Sequence, residues 1–390
     1  MMKTLAHTPT RAEIDLDALA FNVAQVRRLG GKEKKILAVV KANAYGHGVI
    51  GIARELEALG VDFLGVAFIE EGIKLRKAGI QKPILILGGI FPFHVRKVFT
   101  FRLTPVVFDI GLARALDAEG KRQNHVLPVH IKIDTGMNRL GVPFDQTERF
   151  FSSLRSVKFL KVEGILSHFS SAHLRDKESK RYTADQTKKF KKSLSLIRKL
   201  NFDPPLIHMA NSSAIIEKLI PEFTMVRAGL MLYGAYPSDD LTNTITLKPV
   251  MSLKSHVIQI KVIPPGSPIS YSRTCYTKKE SLIATIAIGY GDGYHYRLSN
   301  RGKVLIQEKK LPLVGSVCMD LIMADVTELP GVKPEEEVVL FGRQGEATIS
   351  VEEVARWADT IPYEILCGVS GRVPRIYKKG GTMFEVKNRA

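Results

Sequence analysis

The chain has 390 residues, 45% of them hydrophobic and 25% charged, with mean hydropathy near zero. That composition excludes a disordered or fibrous protein and leaves room for two or three domains with sizeable cores. The net charge of +18 admits an anionic partner, but the basic residues are scattered. The densest tract, residues 174–200, interleaves acids and recurrent Leu, Ile and Phe. It reads as one helix with a solvated basic face, so no nucleic-acid partner is expected. No apolar run approaches the ~18–20 residues of a membrane span. The N-terminal stretch lacks the apolar core of a signal peptide, so no membrane partner and a cytoplasmic location are expected. Cys275, Cys318 and Cys367 are odd in number and far apart. A disulfide framework or a metal site is not expected from them, and small core side chains are their ordinary reading.

From residue 30 onward the chain alternates two patterns. Strand-length apolar runs fall at 36–40, 63–68, 84–87, 105–108, 129–133, 162–167, 205–209 and 225–229. Amphipathic stretches of helical period lie between most of them, for example GIARELEALG, GIKLRKAG, LARALDAEG and QTERFFSSLRSV. Strands alternating with helices imply parallel βαβ units. About eight such strands over ~200 residues predict an α/β fold, a closed (β/α)8 TIM-type barrel. An open doubly wound sheet is the alternative, but no dinucleotide fingerprint or P-loop supports it. Near residue 245 the pattern changes. Residues 248–263 and 303–326 are rich in β-branched residues, with turn signals at PPG (264–266) and GYGDGY (289–294). A C-terminal β-rich domain is predicted, interrupted by one short helix over 351–359. The division is placed at residues 1–245 and 246–390.

Lys41 directly follows the first apolar run, in ILAVVKANAYGHG. In a parallel barrel that is the C-terminal face, where catalytic groups gather. Partial burial there would lower the lysine pKa and free its amine as a nucleophile toward a carbonyl cofactor. A strand-end lysine facing solvent is the ordinary alternative. The seventh run leads into HMANSS, with Asn211, Ser212 and Ser213 opening a helix. Backbone N–H groups and the helix dipole favour an anion there, although Ser212 reads equally well as a helix cap. The eighth run passes into VRAGLMLYG, where Gly229 allows backbone to approach a ligand. A lysine at the first strand and a phosphate cradle at the last two point to pyridoxal 5'-phosphate.

The segments AVVKANAYGHG, KIDTGMNRLG, HMANSSA, VRAGLMLYG, ISYSRTCYT, IGYGDG and VGSVCMD resemble those of the alanine racemases, in order and over nearly the whole chain. The resemblance implies a barrel followed by a β domain, with the first ~12 residues beside the β domain. It implies a homodimer whose active sites are shared between subunits. It implies interconversion of L-alanine and D-alanine, supplying D-alanine for peptidoglycan. Lys41 matches the lysine that carries the cofactor. Tyr271 matches the catalytic tyrosine donated by the partner, and the two form the pair of acid/base groups that racemisation needs, one on each face. A free tyrosine has a pKa of about 10 and needs help to act near neutrality. His168 matches the histidine that hydrogen-bonds it; on residues alone it is an ordinary core histidine. Arg227 matches the arginine that faces the pyridine nitrogen and weakens the ring as an electron sink. Its ordinary reading is a carboxylate pair.

By the same resemblance, Arg139 reaches the cofactor's phenolic oxygen and the substrate carboxylate. Tyr45, Ser212, Gly229 and Leu230 contact the phosphate, and Asn211 lies beside them. Met319 meets the substrate carboxylate through its backbone, and Tyr290 and Asp320 stand at the entrance. Cys318, beside Met319, is expected near the site. Lys132 faces inward if His130, Lys132 and Asp134 alternate, and some relatives carry a carbamylated lysine there. An ion pair with Asp134 is the alternative. In one respect the chain departs from some relatives. Gly371 stands before RVPR where they have a phosphate-binding tyrosine, so that hydrogen bond is missing or replaced by water. Competing readings are a non-catalytic pyridoxal-phosphate-binding barrel, a decarboxylase of the same architecture, a basic nucleic-acid-binding protein, and a serine or broad-specificity racemase. The β tail carrying Tyr271 argues against the first, and Arg227 argues against the second.

Overall fold

The computed structural model describes residues 8–220, 222–242 and 244–386. The first strand, β1 (Arg11–Asp15), does not join the barrel that follows it. The barrel is built by β2 (Lys35–Val39), β3 (Phe63–Val66), β4 (Ile84–Ile86), β5 (Thr104–Val107), β6 (Leu127–Asp134), β7 (Leu160–Leu166), β8 (Leu206–His208) and β9 (Met225–Ala228). All neighbours are parallel, and β9 pairs with β2, Val226 opposite Ile36. Between β8 and β9 the ladder is irregular. The Thr224 amide donates to Ile207 O and the Arg227 amide to Ala210 O, each at 2.9 Å, which draws the ends together. The fold is thus a nearly closed (β/α)8 barrel, as the alternation of apolar runs predicts. β3, β4 and β5 are buried along their whole length. That suits parallel strands covered by helices on one face and barrel side chains on the other.

The predicted helices are present between them. The basic tract forms one helix, Lys177–Lys199, capped by the Asp176 carboxylate, which accepts from the Ser179 amide at 2.9 Å. Thr183, Gln186, Phe190, Leu194 and Ile197 are buried on its inner side, while Lys188, Lys191 and Lys192 are exposed. This is the helical spacing of an amphipathic surface helix. No helix among the described residues is long and apolar enough to cross a membrane.

The second sheet begins with β10 (Met251–Ile263), whose first half alternates buried and half-buried residues. β11 (Ser281–Ile286), β12 (Lys303–Ile306), β13 (Lys309–Pro312), β14 (Ile322–Asp325), β15 (Glu337–Gln344), β16 (Ala347–Ile349), β17 (Arg375–Lys379) and β18 (Thr382–Glu385) complete it. β1 lies between β10 and β17, antiparallel to one with Ile14 opposite Met251 and parallel to the other with Ala12 opposite Arg375. The N-terminal strand therefore belongs to the C-terminal sheet, and residues 1–7 lie outside the described residues. One expectation needs correction. Among its described residues the β-rich region holds two α-helices, Val351–Trp357 and Pro362–Gly368. The second matters for the site.

Candidate active site

Lys41 follows β2 at the C-terminal mouth of the barrel, and the chain then does something costly. Ala42, Asn43, Ala44 and Tyr45 all have φ between 51° and 55°, forming one left-handed turn. Each such residue costs roughly 1–2 kcal/mol relative to a right-handed turn. Side chains from elsewhere hold it. One Glu71 carboxylate oxygen accepts from the Ala42 amide at 2.6 Å, and the other accepts from Ala67 at 2.7 Å. Asn43 Oδ1 accepts from the Val49 amide at 2.9 Å. Gly46 ends the turn where a Cβ would run into the Leu366 carbonyl. The turn aims Lys41 into the cavity and packs the Tyr45 ring 4.9 Å from that of Tyr233.

That cavity, about 550 Å³, is lined by Lys41, Lys132, Arg139 and Arg227 and by no Asp or Glu among the described residues. Four cations facing one another without a carboxylate make a site that requires an anion. Burial, then Arg139, lowers the Lys41 pKa, against smaller opposing effects of Cys367 and Glu71. Lys132, 7% exposed, is pushed down to about 8 by burial, then by Arg227 and Arg139. It makes no ion pair with Asp134, whose Oδ1 accepts instead from the amides of Gly136 and Asn138. The carboxylate is spent on its own loop.

Arg227 is fully enclosed. Nη1 donates to His208 O at 2.8 Å and His208 Nδ1 at 3.0 Å. Nη2 donates to Ser167 O at 2.7 Å, His168 Nδ1 at 3.0 Å and Met209 O at 3.1 Å. The ordinary alternative, a carboxylate pair, is not what surrounds it: carbonyls and two imidazoles do. Burial and Arg139 bring its pKa down to about 9, still charged at neutral pH. Burial, followed by Arg227, holds His168 well below the ordinary histidine range, so it is neutral.

At the closed end, Tyr45, Asn211, Ser212, Gly229 and Leu230 line the cavity together. Asn211, not Ser212, caps the helix Ser212–Ile216, accepting from the Ala214 amide at 3.1 Å. Ser212 Oγ instead accepts from the Gly229 amide at 3.0 Å, tying the two loops to each other. Two residues that sequence reasoning missed also line this cavity, Ile361 and Tyr363. Tyr363 sits on the second short helix with its ring 6.0 Å from that of Tyr45. Burial pushes its hydroxyl up to about 12. Gly371 does not line the cavity, and a Cβ there would meet open space.

Tyr271, Tyr290, Met319 and Asp320 are elsewhere. They do not line the cavity of their own chain, and Tyr271 is 71% exposed. Among the described residues His168 makes no hydrogen bond to Tyr271. The four form a second cluster on the β-rich region. The Tyr290 amide donates to Cys318 O at 3.0 Å, and Ser316 Oγ donates to Tyr271 O at 3.0 Å. Asp320 pairs with Arg372 at 2.7 Å. The cysteines are all free and none is a core side chain, which corrects their ordinary reading. The one close enough to Lys41 to act on it electrostatically is Cys367, not Cys318.

Residues 14–237 match the alanine racemase N-terminal domain, and residues 250–377 match the alanine racemase C-terminal domain. The chain belongs to the alanine racemase family. Alanine racemases of Geobacter sulfurreducens and Halothermothrix orenii are each 48% identical to it over 370 residues, 95% of this chain and 97% of theirs. Among solved structures, alanine racemase from Bacillus anthracis with bound L-Ala-P is similar over 99% of both chains, with TM-score 0.91 and 36% identity. That from Clostridium difficile 630 covers 98% of this chain and 99% of its own, with TM-score 0.90 and 34% identity. Membership in the alanine racemase family therefore extends over both the barrel and the β-rich region. The two clusters of functional candidates fall one on each.

Proposed function

We infer that this chain interconverts L-alanine and D-alanine, as an amino-acid racemase that uses pyridoxal 5'-phosphate. The observation that carries this reading is the Lys41 amine in a cavity of four cations and no carboxylates. The residues present fit the cofactor. Lys41 would hold it covalently, and its lowered pKa supplies the free amine that bond formation needs. Tyr45, Asn211, Ser212 and the backbone at Gly229 and Leu230 would hold the phosphate. A Cβ at 229 would fill that cradle, lying 2.8 Å from the Tyr45 hydroxyl. Arg227 would face the ring nitrogen. Its two Nη groups already have acceptors, and among the described residues Nε–H has none. Arg139, which lines the same cavity, would meet the cofactor's phenolic oxygen and the substrate carboxylate. When bound, the cofactor supplies the electron sink that acidifies the substrate α-hydrogen.

The chain's own residues supply the proton transfers. Lys41 Nζ takes or gives the α-proton on one face, and the Tyr271 hydroxyl does so on the other. Because Tyr271 does not line the cavity of its own chain, the second face is completed by another copy. We place the chain in a homodimer with shared sites. In support, Tyr271, Tyr290 and Met319 are exposed on the β-rich region, and Phe68, Phe91 and Phe93 are 60%, 61% and 74% exposed on the barrel. Phe68 lines the cavity itself. Large apolar groups exposed together mark a contact surface. Tyr290 and Asp320 would then border the entrance, and the Met319 backbone N–H would meet the substrate carboxylate. A carbamate on Lys132 is part of the same reading. Carbon dioxide adds to the neutral amine with loss of a proton, turning one of the four cations into an anion beside Arg139. On the family basis the reaction is assigned to the cytoplasm and its product to peptidoglycan.

The test is direct. The purified protein, loaded with pyridoxal phosphate, is reduced with borohydride and its peptides are mapped. In parallel, D-alanine formed from L-alanine is measured with a D-amino-acid oxidase. The expected result is the adduct on Lys41 together with turnover. An adduct without turnover points to a binding protein or another amino acid, and a protein with neither adduct nor turnover overturns the reading.

A further inference from the structure

Arg227 ends a line of buried rings that runs away from the cavity. His208, which accepts from Nη1 at Nδ1, has its Nε2 2.8 Å from His130 Nδ1. His130 Nε2 lies 3.4 Å from Glu163 Oε2. His130 and His208 are fully buried. Glu163 is not. It lies at the middle of β7 and lines a cleft with Arg76, Arg102, Thr104 and Pro128, at the N-terminal mouth of the barrel. The line therefore crosses the barrel interior from one end to the other.

Its direction is fixed by elementary chemistry. A guanidinium can only donate. His208 Nδ1 must accept, so the single proton of this neutral ring sits on Nε2. That N–H must then donate to His130 Nδ1, and the His130 proton sits on its own Nε2. Among the described residues the acceptor left to it is the Glu163 carboxylate. A charged ring at either position would set two donors against each other. Burial lowers the pKa of both rings, which agrees with neutral forms. Every N–H in the line points from Arg227 toward Glu163, and such chains polarise one another.

We propose that Glu163, acting through His130 and His208, is a positioning residue for Arg227: it fixes both ring tautomers and so the side of the guanidinium left free to face the cavity. This rests on the reading of Arg227 as the group beside the cofactor ring. With no acceptor at the far end, the His130 proton has no reason to stay on Nε2. If it moves to Nδ1 it opposes the proton of His208. That ring in turn loses the bare Nδ1 that anchors Nη1.

The experiment uses the full chain loaded with pyridoxal phosphate, and the same chain without it, each labelled with ¹⁵N in histidine. Ring nitrogen spectra should show Nδ1 bare and Nε2 protonated on both His130 and His208. Glu163→Leu, at a half-exposed position, should blur or reverse that assignment. It should also lower kcat for alanine by roughly two- to tenfold, the effect of one lost hydrogen bond, with KM little changed. Glu163→Gln keeps an accepting oxygen and should restore both readouts. A protonated Nδ1 on His208 in the parent protein would overturn the proposal. So would a Glu163→Leu protein with unaltered ring spectra and kcat. If the chain shows no racemase activity at all, the ring spectra still decide the relay, and only the reading of the site falls.

Discussion

A Cβ on Gly229 would lie 2.8 Å from the hydroxyl oxygen of Tyr45. Backbone and hydroxyl thus meet at the closed end of the cavity, with Ser212 Oγ bonded to the same Gly229 amide at 3.0 Å. Tyr45 has little freedom to retreat, because its ring is buried against those of Tyr233 and Tyr363. Gly229→Ala should therefore narrow the phosphate cradle while leaving the fold intact. Overpacking of this kind costs ~1–3 kcal/mol, so the dissociation constant for pyridoxal phosphate should rise at least roughly fivefold. Titration of the cofactor-free variant by absorbance measures it. Binding as tight as the parent's would place the phosphate elsewhere.

Glu71 spends its carboxylate on the amides of Ala42, Ala67 and Phe68. It is the external clamp on a left-handed turn that would otherwise relax and carry Lys41 with it. Glu71→Ala leaves those exposed and half-buried donors without that acceptor, at ~0.5–1.5 kcal/mol for each hydrogen bond lost. We expect a lower midpoint in denaturant and a fall in kcat/KM of about tenfold or more. Retained activity with reduced stability alone would mean that the turn does not set the position of the amine.

The Lys132 pKa is lowered from its ordinary 10.5 to about 8 in the folded chain. Between those values the unfolded chain binds more protons than the folded one, so stability rises with pH across that window. Below about pH 8 the destabilisation is fully present. In cofactor-free protein depleted of carbon dioxide, Lys132→Met should be more stable than the parent at pH 7, by on the order of 3 kcal/mol. The difference should shrink above pH 8 and disappear by about pH 10.5. Adding bicarbonate at pH 8 should stabilise the parent but not the variant if the carbamate forms. Denaturant unfolding at several pH values reads both effects. A pH-independent difference would show that the lysine is not the titrating group.

Much of this molecule was legible before its structure. The eight barrel strands are short, apolar and bounded by turn residues, and Lys41, Ser212 and Arg227 lie at or near strand ends, so local pattern locates them. What escaped is non-local or too short. β1 pairs with strands about 240 and 360 residues away, a choice that no local period encodes. The helix Pro362–Gly368 has seven residues, less than the span that periodicity needs, so no local pattern singles out Tyr363. Pro362 at its first turn and Gly368 at its end were the available signals. The left-handed turn has no glycine from 42 to 45 to announce it. His130, His208 and Glu163 fall on three separate strands, and only barrel closure aligns them.

The buried hydroxyl of Tyr294 has no hydrogen-bond partner among the described residues. An unsatisfied buried polar group costs ~1–3 kcal/mol. Tyr294→Phe removes the oxygen and keeps the ring in its 2% exposed place. Stability should stay level or rise by about 1 kcal/mol, with activity unchanged. A clear loss in denaturant midpoint would reveal a bound water that satisfies the hydroxyl.

Lys41 and Tyr271 lie on different clusters of the same chain, and that separation makes subunit sharing testable by mixing. Lys41→Ala and Tyr271→Phe should each abolish most activity. If every site takes its lysine from one copy and its tyrosine from the other, a mixed dimer contains one intact site and one doubly defective site. Random assortment of equal amounts makes about half the dimers mixed, so the mixture should recover about a quarter of parent activity. Co-expression or joint refolding gives the assortment, and D-alanine formation gives the rate. If instead each chain folded its own Tyr271 over its own Lys41, no dimer in the mixture would hold an intact site. Activity would then remain at the level of the separate variants, and the exposed aromatic groups of the barrel and the β-rich region would require another partner.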